Sequence, residues 1–418
     1  MINKTLRIML AYIVLPLYAL TYPIDGYQIT GIKRLLYLQL VINGELKGTM
    51  PKPGARLGVN DIKLNLTGVR GDSLENMPAP DQKLQKAIDG LFPNMHESYS
   101  IALLDVTPGR QMRYAKRNDL QGFQPGSVAK LIVAAALFNE LKNLYPDSFE
   151  LRQQLLRETQ VTGGRWVIHD EHTVPVFNVE TKTLKSRVVK EDDVFTLYEW
   201  VDHMLSASNN SAASVVWRET LLIHVFGKAY PYLEPEHVQE YFNTTSRAKL
   251  SELAVEVVNA PLRDLGISPD EARLGSFFTK EAKKIIPPSG GSLGTPSGFM
   301  KYLVAMERGR LVDELSSLEI KRLMYMTARR IRYASSEALN PAAVYFKSGS
   351  LYQCREEEGY TCTKYQGNKN NFMNSVIIVE HPDGTTYLVV LMSNVLKKNS
   401  AADHNGLATQ IDRIIRKG

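Results

Sequence analysis

Gln124-Pro-Gly-Ser-Val-Ala-Lys130 runs straight into the apolar stretch Leu131-Ile-Val-Ala-Ala-Ala-Leu-Phe138. A serine and a lysine three residues apart at the head of a helix lie on one face of it. The turns that follow are too apolar to face water, so the helix is expected at the centre of a domain. A lysine sunk there loses its proton more easily and can serve as the base that activates the neighbouring hydroxyl. Ser127 and Lys130 are therefore read as nucleophile and base. The same spacing recurs at Ser246-Arg-Ala-Lys249, after Asn243-Thr-Thr245 and before a helical pattern. A helix cap explains that second copy.

Such a pair needs two supports, and the chain carries candidates for both. Ser208-Asn-Asn210 stands in a polar break between helical stretches. Ser208 is read as the hydroxyl that relays a proton from the base to a leaving amine. Asn210 is read as the carboxamide that orients the lysine and the substrate. A helix N-cap is the alternative use of these residues. Lys347-Ser-Gly349 lies on the strand-like run Ala342 to Tyr352. Lys347 and Ser348 are read as holding a substrate carboxylate, and Gly349 as letting a ligand backbone come close to the strand. The N–H of Ser350, with that of Ser127, is the expected donor pair for a developing oxyanion.

In this order, on helix, loop and strand, the three elements resemble the signature set of the penicillin-recognising serine enzymes. These are the class A β-lactamases and the low-molecular-mass penicillin-binding D-alanyl-D-alanine peptidases. The resemblance covers about residues 80–418. It implies an α/β (α+β) fold: an antiparallel five-stranded sheet flanked by helices, beside an all-helical lobe, with the site between them. It further implies acylation of Ser127 by a β-lactam or a D-alanyl-D-alanine peptide, without a cofactor. Ser348 replaces the usual threonine and keeps the hydroxyl, and Asn209 stands where class A enzymes usually carry aspartate.

One departure is larger. Class A enzymes place a glutamate between the second and third elements to activate the water that clears the acyl-enzyme. The corresponding stretch here is Arg273-Leu-Gly-Ser-Phe-Phe-Thr-Lys-Glu-Ala282, which puts Gly275 at that position with Glu271 and Glu281 flanking it. Acylation is expected, and efficient deacylation is not. The alternatives are a penicillin-binding D-alanyl-D-alanine carboxypeptidase and a catalytically inactive binding protein on the same fold. In the latter, residues 23–79 and 161–190 would be partner-contact surfaces.

The elements that must position these residues follow from pattern. A helix is expected over Asp81 to Phe92, strands over Tyr99 to Val106 and Gln111 to Ala115, and an extended arm or hairpin over 161–190. Val194 to Leu205 reads as helical, and so does most of 212–305, with Gly294-Thr-Pro296 opening a helix. Two strands form a hairpin around Pro382-Asp-Gly384, and a helix over Ala401 to Arg416 closes the chain. Tyr37 to Ile42 reads as a strand in an otherwise unassigned extension.

The full chain of 418 residues divides into 1–22, 23–79 and 80–418. Residues 1–22 combine a short basic start with the apolar run Ile8 to Leu20, too short for a comfortable span, and look like an export signal. Ala19-Leu20-Thr21 is a poor cleavage site, so an uncleaved anchor stays open. Either reading places the protein in the periplasm or on the outer side of the inner membrane. A net charge of +6, with no basic run interleaved with aromatics, argues against nucleic-acid binding. Arg329-Arg-Ile-Arg332, the densest basic cluster, reads as a solvated helix face. His169-Asp-Glu-His172 has its histidines three apart in strand-like sequence, not four apart on a helix, and no metal site is assigned there. Cys354 and Cys362 are spaced for a disulfide across a hairpin, two free thiols being the alternative.

Overall fold

A computed structural model describes residues 24–168, 170–326 and 330–418. The expected export signal, His169 and Arg329 lie outside the described residues.

Five strands form one antiparallel sheet: β1 (Ser100–Asp105), β2 (Arg113–Arg117), β3 (Ala343–Gln353), β4 (Asn370–Glu380) and β5 (Thr386–Asn394), in the order β2-β1-β5-β4-β3. Every residue of β1 is buried, because both sheet faces are covered. Ala102 and Leu104 enter the larger core shared with the helical lobe, while Ile101 and Leu103 enter a second core. This alternation is the two-residue period of a strand.

The principal helices, in chain order, are α1 (Lys33–Ile42), α2 (Gln82–Asp89), α3 (Lys130–Leu144), α4 (Leu197–Leu205), α5 (Asn210–Phe226), α6 (Arg247–Asp264), α7 (Pro296–Glu307), α8 (Glu314–Met324) and α9 (Ala401–Lys417). Leu407, Ala408, Ile411 and Ile415 of α9 join Leu84 and Ile88 of α2 under one sheet face. On the other side α3 is fully enclosed from Leu131 to Phe138. Caps explain where several helices begin. Asp81, Thr295 and Ser246 each accept a backbone N–H of the first turn, and Thr196 with Glu199 completes a capping box ahead of α4. The second Ser-x-x-Lys copy is thus a cap at Ser246.

Four local expectations change. Tyr37 to Ile42 is helical, within α1, because Leu35, Leu38 and Val41 fall at a three-residue spacing and are buried together. Residues Val194–Thr196 form a short strand against Gln160–Thr162 before α4 begins. Trp166 stands in a 3₁₀ turn, and the hairpin of the 161–190 region is Thr173–Asn178 with Thr183–Val188. Strand β2 begins two residues later than its pattern indicated.

The residues before position 80 pack into the same core as the rest: Ile24, Ile32, Leu35 and Leu66 are buried in it. Arg34 binds Asp202 of α4 through two hydrogen bonds of 2.5 and 2.6 Å. Lys321 of α8 lies between Glu307 and Glu380, 2.6 Å from each, and donates to the carbonyl of Lys63. Such buried pairs anchor the segment, because removing one partner strands a charge away from water. No helix among the described residues is long and apolar enough to cross a membrane. Cys354 and Cys362 are bonded to each other in the loop between β3 and β4.

Candidate active site

Ser127 sits in a 3₁₀ turn, Gly126–Ala129, that leads into α3. Gly126 has φ +55°, a region open to glycine at little cost. The turn is pressed against β3. A Cβ on Gly349 would lie 2.2 Å from the carbonyl oxygen of Pro125 and 3.0 Å from the nitrogen of Ser127. The close approach that Gly349 permits is therefore to the chain's own Ser127 turn. Asn374, opposite Gly349 in the register of β4, donates to the carbonyls of Gln124 and Pro125 and fixes the turn from the other side.

Lys130 is buried one turn on, with Nζ 3.0 Å from Ser127 Oγ, 2.5 Å from the carbonyl oxygen of Ser208 and 2.8 Å from Asn210 Oδ1. Burial pulls its pKa down to about 7, and the negative charge of Asp170 opposes that fall. A neutral amine has two N–H groups and one lone pair. The carbonyl of Ser208 and the carboxamide of Asn210 accept both N–H groups, so the lone pair is left for the Ser127 hydroxyl. The Phe278 ring, with its centroid 5.2 Å from Nζ, supplies part of the desolvating wall.

Ser208 is held at φ +58°, an uncommon conformation for a residue with a side chain. That backbone turns its carbonyl to Lys130 while its Oγ accepts a 2.7 Å hydrogen bond from Lys347 Nζ. Asn209 caps α5 by accepting from the N–H of Ala212, so the cap and the catalytic reading divide between neighbouring asparagines. Lys347 is fully enclosed. Burial, with the nearby charges of Lys130 and Arg332, holds its pKa well below the ordinary lysine value. Ser348 is buried beside it on β3, and Ser350 Oγ accepts from Arg332 Nη2 at 3.0 Å.

The structure thus brings Ser127, Lys130, Ser208, Asn210 and Lys347 into one hydrogen-bonded chain, with Gly349 and Ser350 against the turn that carries Ser127. Arg332 adds a further cation. Its Nη1 donates to the Gly349 carbonyl, its guanidinium lies over the Tyr365 ring, and burial lowers its pKa. The basic cluster that ends at Arg332 is not the solvated helix face expected of it; instead Arg332 is buried in a 3₁₀ turn, Arg332–Ser335, before β3, because its guanidinium is drawn to the Gly349 carbonyl and Ser350 Oγ.

Neither glutamate flanking position 275 is free to act here. Glu271 is paired with Lys301 at 2.5 Å, and Glu281 with Arg165 at 2.6 Å and Lys284 at 2.8 Å. Position 275 itself has no room for a side chain: a Cβ would lie 2.7 Å from the carbonyl oxygen of Gly290. The carboxylate whose charge bears on Lys130 is Asp170, at the head of α5. Burial raises its pKa, but hydrogen bonds from His172 and from the N–H groups of Ser211 and His172 outweigh this and hold it at about 2. Its signal was hidden, because its partners Asn210 and Ser211 are 40 and 41 residues away in sequence.

An antiparallel five-stranded sheet, a helical lobe, and a serine–lysine pair where they meet define a serine-hydrolase fold of the β-lactamase type. The chain belongs to the beta-lactamase enzyme family, whose model matches residues 83–417. Among solved structures, a class A beta-lactamase from Bacteroides cellulosilyticus DSM 14838 is 16% identical, with a TM-score of 0.51 over 81% of this chain and 98% of that one. The TLA-3 extended-spectrum beta-lactamase is 12% identical, with a TM-score of 0.53 over 80% and 98%. PBP-A is 13% identical, with a TM-score of 0.50 over 82% and 98%. At these identities the likeness is one of fold. No curated protein matches the chain in sequence.

Proposed function

We propose that this protein is an exported serine acyl-transfer hydrolase whose Ser127 is acylated by β-lactams and by D-alanyl peptides. The observation that carries this reading is the placing of Lys130. Nζ lies within hydrogen-bond reach of the Ser208 carbonyl, Asn210 Oδ1 and Ser127 Oγ; once the amine is neutral, the first two accept its N–H groups and its lone pair is left for the Ser127 hydroxyl at 3.0 Å. Lys130 takes the hydroxyl proton as Ser127 Oγ attacks the amide carbonyl. The backbone N–H groups of Ser127 and Ser350 stabilise the oxyanion. Ser208, with Lys347 behind it, returns the proton to the leaving nitrogen. Lys347, Ser348 and Arg332 form the cationic side that receives the substrate carboxylate.

Between the two enzyme classes of this fold, the loop favours a penicillin-binding peptidase over a fast β-lactamase. It presents Phe278 to Lys130 and leaves no space at position 275. The test is labelling with a fluorescent penicillin followed by intact mass. The expected result is a single adduct on the wild-type protein and none on Ser127→Ala. Absence of any wild-type adduct at high probe concentration overturns the reading.

A further inference from the structure

If acylation proceeds as proposed above, something must clear the acyl group, and the loop between α6 and α7 offers no carboxylate for the task. Gly275 has no space for a side chain, and Glu271 and Glu281 are held in ion pairs. The head of α5 carries a different arrangement. Asp170 is almost fully buried at the head of α5. Its Oδ2 accepts the N–H groups of Asn210 (2.7 Å) and Ser211 (3.0 Å). Its Oδ1 lies 2.6 Å from Nδ1 of His172 and 3.1 Å from the backbone nitrogen of the same residue. The His172 carbonyl accepts from Asn209 Nδ2 at 2.7 Å, so the histidine is tied down at its backbone on both sides.

We propose that the Asp170–His172 pair is a second base of this site, with His172 Nε2 taking the proton of the water that clears the acyl group from Ser127. The inference rests on the acyl-enzyme reading and deepens it. Three observations point the same way. First, an anionic carboxylate on Nδ1 keeps the proton there and leaves Nε2 as the acceptor. Second, the ring is half-exposed, and Nε2 has no hydrogen-bond partner among the described residues. Third, a single side chain separates the pair from the acylation machinery. Asn210 Nδ2 is 3.4 Å from His172 Nδ1, and its Oδ1 is 2.8 Å from Lys130 Nζ.

The step balances without another reactant. As the water oxygen bonds to the ester carbonyl carbon, one water proton passes to Nε2. The bond from that carbon to Ser127 Oγ breaks, and Oγ takes a proton from Lys130 3.0 Å away, the amine having first taken one up from solvent to replace the proton it passed to the leaving nitrogen. Imidazolium then releases its proton to solvent at its exposed edge. The amine is left neutral, ready for the next acylation. Asp170 is a positioning residue in this scheme, and His172 is the catalytic one.

The experiment separates the two steps on His172→Gln, a half-exposed position where a polar side chain is tolerated. Wild type and variant are labelled with a fluorescent penicillin, freed of excess probe, and followed by intact mass. General-base catalysis contributes roughly 10²–10⁴-fold, so the adduct on the variant is expected to live about a hundred times longer, with the labelling rate within about threefold of wild type. Glu271→Gln and Glu281→Gln are expected to change neither step. An unchanged adduct lifetime in His172→Gln overturns the inference and leaves the acylation reading standing. A variant that loses labelling as well also overturns it, because His172 would then be supporting Asn210. Absence of any wild-type adduct overturns both.

Discussion

Replacing Asp170 by asparagine should make the protein react faster with penicillin in acid, against the usual expectation for removing a buried charge near an active site. Lys130 must be neutral to act as a base. Its pKa of about 7 is set by burial, which lowers it, against Asp170, which raises it. The carboxamide of Asn210 lies between the two groups, with contacts of 2.8 and 3.4 Å. Unit charges roughly 7 Å apart at an effective dielectric of about 20 interact by roughly 2 kcal/mol. That corresponds to about 1–2 pKa units. Taking away the anion removes a stabiliser of the ammonium form, so the pKa of Lys130 falls. The acid limb of the labelling rate should move from about pH 7 to about pH 5–6. At pH 6 the neutral fraction of the amine rises about five- to tenfold, and labelling should rise with it. Above pH 8 the variant should be no faster than wild type. The assay is the rate of fluorescent-penicillin labelling between pH 5 and 9, with Ser127→Ala as the blank. An acid limb that stays in place, or moves to higher pH, refutes the assignment of Asp170 as the charge acting on Lys130. The same substitution bears on acid stability. The folded-state pKa of Asp170, about 2, lies below its unfolded value of about 3.9. The stabilisation it contributes, on the order of 2–3 kcal/mol, is therefore present above pH 4 and lost as pH falls towards 2.

Phe278→Ala should act in the opposite sense, by letting water reach Lys130. Its pKa then rises from about 7 towards the ordinary lysine value, and labelling at pH 7 should fall about fivefold for a rise of one unit and recover near pH 9. A pH profile identical to wild type would show that the ring does not desolvate the amine. Lys321→Met should cost about 3–5 kcal/mol in urea unfolding, because it leaves Glu307 and Glu380 facing each other without a counter-charge. A loss under about 1 kcal/mol would mean that one of those carboxylates is already protonated in the folded state.

The parts of this site that could be read from the chain are those whose spacing is local or whose element type is strongly patterned. Ser127 and Lys130 are one helical turn apart, and the apolar run after them announces a buried helix, so both the pair and its environment are visible without coordinates. Ser208, Asn210 and Lys347 were recognised because their residue types recur in one order on loop and strand. The strand expected at 37–42 failed because β-rich residue types were weighed above the three-residue spacing of Leu35, Leu38 and Val41.

Tertiary structure decided what no spacing along the chain records. Asp170 meets its helix-end partners across about forty residues, and Arg34 reaches Asp202 across 168. Arg332 is brought over β3, and Phe278, three residues beyond the Gly275 that stands where the resemblance expects a glutamate, lies against Lys130. The sequence by itself determined where the serine–lysine pair stands and the order of the elements around it, because a turn of helix or a strand's alternation follows from neighbouring residues alone. The protonation balance of that lysine, and the identity of the charges around it, came only from the folded chain, because desolvation and Coulomb interaction depend on distance through space.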